Sequence, residues 1–147
     1  MEPTNEIRPF FAQTRIKEDP CDYYLVSLSP REDLTNFQAL LSPFTSITRD
    51  YNESSIVLKS DDWLSLRERL HNYKEEGPYR LITFDVVLDL SLIGYLSVVS
   101  SLLAANGISI YALSTFLRDH ILVKKEDSVR AIKLLNELIN RCKHTNK

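Results

Sequence analysis

Apolar positions along the chain recur with two periods, and the switch from one to the other marks the elements. The pattern is cleanest in the second half. Residues 80–86 (Arg-Leu-Ile-Thr-Phe-Asp-Val) read as a strand, rich in β-formers. A helix follows over about 92–105, capped by Asp89 or Ser91, with Gly107 where a left-handed C-cap residue belongs. Leu92, Ile93, Tyr95, Leu96, Val98, Val99, Leu102 and Leu103 make that helix apolar nearly all round, which predicts burial on more than one side. Residues 108–114 and 120–124 read as two strands joined by a hairpin loop over 115–119. Glu126-Asp127-Ser128 opens a last helix with Val129, Ile132, Leu135, Leu138 and Ile139 on one face and cations at its end.

The first half repeats the order less clearly. Residues 1–20 mix charge with Pro3, Pro9 and Pro20 and show no period, which predicts an extended arm, with Phe10 and Phe11 available to dock on the body. Residues 23–28 read as a strand, and Leu34, Phe37, Leu40 and Leu41 fall at helical spacing. Residues 44–49 and 54–58 form a hairpin around Asp50-Tyr51-Asn52-Glu53. Asp61-Asp62 opens an amphipathic helix carrying Trp63, Leu64, Leu66 and Leu70. Lys74-Glu75-Glu76-Gly77-Pro78 is the strongest linker signal. Strand, helix, strand, strand, helix thus occurs twice. The expected fold is α+β, two ferredoxin-like βαββαβ units packed side by side. The expected divisions are an arm over 1–20, a first unit over 21–77 and a second over 78–147, with the 80–86 strand able to serve both units.

Composition narrows the function. The 147 residues are 44% hydrophobic and 26% charged, with a net charge of −2, so no basic footprint for nucleic acid is present. The N-terminus has no apolar leader segment, and the apolar run over 88–105 is broken by Asp89, serines and Gly94, so a buried helix is expected rather than a membrane span. Cys21 and Cys142 belong to no metal-ligand spacing and are expected as free thiols of a cytoplasmic protein. His71, His120 and His144 are scattered, so no metal site is expected. A triad of Ser114, Asp119 and His120 is disfavoured because neighbours in a strand point to opposite faces. No nucleophile–base pair or phosphate loop is legible; no catalytic residue and no cofactor are expected.

Three stretches carry a family resemblance. Leu88-Asp89-Leu90-Ser91-Leu92-Ile93-Gly94, the Gly107-Ile108-Ser109-Ile110 corner and Leu113-Ser114-Thr115-Phe116-x-x-Asp119-His120-Ile121-Leu122-Val123 resemble the tandem ACT-domain proteins. These include small bacterial two-ACT proteins and, more distantly, the cytosolic arginine sensors of animals. Residues 44–49 followed by 52–57 are similar to the family's first hairpin. The resemblance implies a non-catalytic regulatory protein binding an amino acid at the junction between ACT units. The alternative it leaves is a protein-interaction or dimerisation module with a vestigial pocket.

The candidate ligand-binding residues follow. Free backbone N–H groups at the start of the Leu92 helix, with Ser91, Leu92, Ile93 and Gly94, suit a carboxylate; a plain cap at Ser91 and relief of crowding at Gly94 account for the same residues. The resemblance assigns Asp119 a cationic group of the ligand, with Ser114, Thr115 and Phe116 beside it, while stabilisation of its own turn is the simpler role. Glu53 and Ser54, in the corresponding turn of the first unit, are expected to line the ligand's other side. The expected partners are a small-molecule amino-acid ligand and a second copy or another protein, with no nucleic acid and no membrane.

Overall fold

The N-terminal segment departs furthest from the expected elements. The computed structural model describes residues 1–144, so the far end of the basic tail lies outside the described residues. In place of an extended arm over 1–20, the chain forms helix α1 (Arg8–Gln13) and then a long strand β1 (Arg15–Leu28). Pro9 falls in the first turn of α1, where a proline removes no helical hydrogen bond. Thr14 ends the helix: its hydroxyl donates to the Phe10 carbonyl at 2.6 Å and so accepts from the Tyr95 hydroxyl at 2.7 Å. Burial pushes the Tyr95 phenol well above its ordinary pKa.

The remaining elements are α2 (Thr35–Gln38), β2 (Ser46–Arg49), β3 (Ser54–Lys59), α3 (Ser60–Leu66), β4 (Lys74–Asp85), α4 (Tyr95–Ala105), β5 (Tyr111–Ser114), β6 (Asp119–Lys124) and α5 (Ser128–His144). They divide into two units. A central unit holds Pro20–Tyr79, and a composite unit joins Met1–Asp19 to Arg80–Lys147. Strands β1 and β4 contribute to both. The strand order is β2-β3-β1-β4 in the central unit and β5-β6-β4-β1 in the composite one. Both are the ferredoxin-like order, and the fold is α+β. In the composite unit the last strand of the motif comes from the N-terminus, residues 15–19. The pairings of β1 with β3, β2 with β3 and β5 with β6 are antiparallel.

Each unit has its own core. The composite core gathers Phe84, Val99, Leu103, Ile121, Val123, Leu135 and Leu138 around Ile7 and Phe11. Phe11 stacks on Tyr95 with ring centroids 4.1 Å apart, and Phe84 meets Tyr95 edge-on at 6.0 Å. The central core is built on Val26, Leu28, Phe37, Ile56, Leu58 and Trp63. Glu75 accepts from the Trp63 indole N–H and also binds Arg67 at 3.0 Å.

The linker expected at 74–78 is part of β4 instead. Its glycine answers to packing: a Cβ at Gly77 would lie 2.7 Å from the Tyr24 ring. The 34–41 helix contracts to the four residues of α2, leaving Leu41 exposed, and α4 starts three residues later than its apolar run. On α5 the buried face is Ala131, Leu135, Leu138, Ile139 and Cys142, while Val129 is exposed. Cys21 and Cys142 are not joined in a disulfide.

Phe11 is 1% exposed. Phe11→Ala is therefore expected to lower unfolding free energy by about 3–5 kcal/mol in urea titration. An arm merely resting on the surface would lose less than about 1 kcal/mol.

Candidate functional site

Where β4 ends, the chain turns outward and returns as α4, and the β5–β6 hairpin comes to the same end of the composite unit. Between the two loops lies a cleft of about 290 Å³. One wall is Leu88, Asp89, Leu90, Leu92, Gly94, Tyr95, Leu96 and Ser97; the other is Ser114, Thr115, Phe116, Leu117, Arg118 and Asp119. The backbone ties them, since the Leu88 N–H donates to the Leu117 carbonyl at 2.8 Å.

The local sequence explains the first wall. Asp89 accepts from the Ser91 backbone N–H at 2.8 Å and from its hydroxyl, closing a tight turn; these bonds hold the Asp89 carboxyl below its ordinary pKa. Ser91 is therefore not the cap of α4. That position falls to Gly94, in the left-handed region at φ 96°, with no side-chain acceptor. An added Cβ would meet Ile7 only at 3.7 Å, so the constraint is backbone angle rather than space. The first N–H groups of α4 have no partner within the helix, and three of their residues, Tyr95, Leu96 and Ser97, line the cleft.

The second wall is set by the last rung of the hairpin, Ser114 opposite Asp119. Ser114 donates to Asp119 Oδ1 at 2.8 Å, and Oδ2 is left without a partner among the described residues. Arg118 was not anticipated from the sequence. Its Nε donates to Asp85 Oδ1 at 2.9 Å, while Lys17 Nζ meets Asp85 Oδ2 at 2.9 Å. Hydrogen bonds from Lys17 and then Arg118 hold the Asp85 carboxyl below its ordinary range.

His120 faces away from Asp119's partner. One ring nitrogen bonds the Thr83 hydroxyl at 2.9 Å and the other the Thr115 hydroxyl at 3.0 Å. Thr115 also bonds the Arg118 carbonyl at 3.1 Å. The histidine thus anchors the turn from beneath, and no triad forms.

Of the sequence-picked residues, Leu92, Gly94, Ser114, Thr115, Phe116 and Asp119 line this one cleft. Ser91 and Ile93 do not; Ser91 is turned to Asp89, and Ile93 is 84% exposed. Glu53 and Ser54 belong to the central unit. There the last hairpin rung is Arg49 opposite Ser54, and Arg49 donates to Ser54 at 3.0 Å and to the Glu32 carbonyl at 2.6 Å. Ser54 is fully buried and spent on that bond, while Glu53 lines a separate open cleft with Asn52, His71 and Tyr73. Among the described residues no group of three or more His, Cys, Asp or Glu could hold a metal, and no helix is long and apolar enough to cross a membrane.

Comparison with known proteins agrees with the fold. Residues 75–137 match the ACT domain, a regulatory module that typically binds amino acids. The chain is similar to a crystal structure of an Agobacterium tumefaciens protein, at 28% identity and a TM-score of 0.72, over 86% of this chain and 89% of that one. It is also similar to a Vibrio cholerae protein described as a possible transport protein, at 19% identity and a TM-score of 0.74, over 91% and 96%. The regulatory subunit of aspartate kinase from Thermus thermophilus, in its ligand-free form, shares 11% identity with a TM-score of 0.60, over 84% and 95%. No curated protein sequence matches the chain.

Burial, the larger cause, and the Arg118 charge lower the His120 pKa from its ordinary 6.5, against the opposing pull of Asp119. The unfolded chain then binds a proton that the folded chain resists, so His120's contribution is complete above the unfolded value and declines as pH falls below it. Urea unfolding followed from about pH 7.5 to about pH 5.5 should show that decline in the native chain and a shallower one in His120→Gln.

Proposed function

We infer that the chain is a non-catalytic regulatory protein that binds a free amino acid in the cleft of the composite unit. The observation that carries this reading is the convergence of the α4 start and the Asp119 carboxylate on one cavity. Open N–H groups at a helix start favour a carboxylate, and an acid with an unspent oxygen favours an ammonium group. The ACT match over residues 75–137 supports a regulatory rather than a chemical role. Function by linkage follows: a ligand touching both the 88–97 loop and the 114–119 hairpin stabilises the arrangement in which the two walls meet, and a partner sensitive to that arrangement reads it.

A second reading is favoured by the rim. Leu90, Ile93 and Phe116 are 70%, 84% and 75% exposed around the same cleft. Apolar groups this open suit a protein contact, a second copy of the chain or another protein, which would close the mouth. Light scattering of the native chain and of Ile93→Asp separates the two readings. A dimer lost on Ile93→Asp favours the contact; a monomer in both favours a ligand site that stands alone.

Calorimetric titration with the common amino acids is the direct test. A member of the set should bind, and Asp119→Asn should weaken it about tenfold or more, the worth of one charge-assisted hydrogen bond. Absence of heat or thermal stabilisation with every amino acid at millimolar concentration would contradict the reading.

A further inference from the structure

We propose that the cleft selects a neutral amino acid with an apolar side chain, and that Arg118 grips its carboxylate. This rests on the amino-acid reading above and adds the ligand's class and a residue that the sequence did not single out.

Arg118 and Asp119 stand next to each other on the cleft wall. The Arg118 side chain is 35% exposed and is fixed at one end, through Nε, to Asp85, which Lys17 holds from the other side. Its two terminal nitrogens have no partner among the described residues. A guanidinium held this way presents the planar fork that binds a carboxylate through two parallel bonds. Asp119 keeps one carboxylate oxygen unspent beyond the Ser114 bond. The wall therefore carries one cation and one anion with capacity to spare, matching the two charges of a zwitterion.

What else lines the cleft decides the side chain. Among the described residues Asp89 is the only other charged group lining the cleft, and both bonds from Ser91 fall on its Oδ1 and tie it into its own turn on the opposite wall. An acidic side chain would find no second cation among these residues, and a charge taken from water without a counter-ion is costly; a basic one would have only Asp89, which Ser91 ties into its own turn. The remaining surface is largely apolar, formed by Leu88, Leu92, Leu96 and Phe116. An apolar side chain laid there would cover the exposed Phe116 ring.

The test uses the full chain in calorimetric titration and thermal melting. The probes are leucine, phenylalanine, arginine and aspartate, with isoamylamine and 4-methylpentanoate as leucine lacking its carboxylate or its ammonium. Leucine or phenylalanine should bind about tenfold or more tightly than arginine, aspartate or either truncated compound. Arg118→Gln should lose about the same factor for leucine and reduce its advantage over isoamylamine, and Arg118→Lys, which keeps charge without the fork, should recover only part. Preference for arginine or aspartate overturns the apolar class and leaves the amino-acid reading standing. Leucine affinity unchanged in Arg118→Gln overturns the role of Arg118. Silence toward all four amino acids overturns the amino-acid reading and this inference with it.

Discussion

The composite unit cannot close on the C-terminal half of the chain alone. Residues 80–144 supply three strands and two helices, and the fourth strand of the ferredoxin-like motif must come from elsewhere. It comes from residues 15–19, with α1 ahead of it adding Ile7 and Phe11 to the core. The Tyr95 side chain joins the two parts: its ring lies between Phe11 and Phe84, and its hydroxyl donates to Thr14. Tyr95 is also the first residue of α4 and lines the cleft, so closure of the core and placement of the site depend on the same residue.

The ion network repeats that coupling at the C-terminal end of β4. Asp85 is the last residue of the strand, Lys17 reaches it from β1 and Arg118 from the hairpin. Partly exposed pairs of this kind add little to stability. Their effect here is on direction: a guanidinium that would otherwise sample many rotamers is held against one wall of the cleft. The two hairpins make the point by contrast. In the central unit the last rung is Arg49 with Ser54, and the arginine is consumed by the serine and by the Glu32 carbonyl. In the composite unit the same rung is Ser114 with Asp119, and the charge remains available.

Much of this was legible in the sequence where burial is one-sided or complete. The apolar runs of α4, β6 and α5 mark those elements, and Gly107 ends α4 in the left-handed conformation its position implied. The N-terminal strand was not legible because residues 15–19 are mostly charged and at most half-buried; backbone pairing rather than an apolar face makes them a strand. Gly77-Pro78 gives a strong local turn signal, yet the segment lies in β4, where the Tyr24 ring leaves no room for a side chain at position 77. In the site, Asp119 and Gly94 stand out by residue type and position. Arg118 does not, because an arginine in a loop means nothing until Asp85 and Lys17, distant along the chain, are brought beside it. The expectation for Glu53 and Ser54 came from treating both hairpins alike, and the exchange of an acid for an arginine–serine pair was invisible without the ladder register.

The proposed ligand site is one cleft, built from the 88–97 loop and the 114–119 hairpin. Backbone amide shifts followed by nuclear magnetic resonance during titration with an amino acid that stabilises the chain test it most directly. The largest saturable shifts are expected at Leu96, Ser97, Arg118 and Asp119, with those around Asn52, Glu53 and Tyr73 unmoved. Shifts centred on the latter group would contradict it.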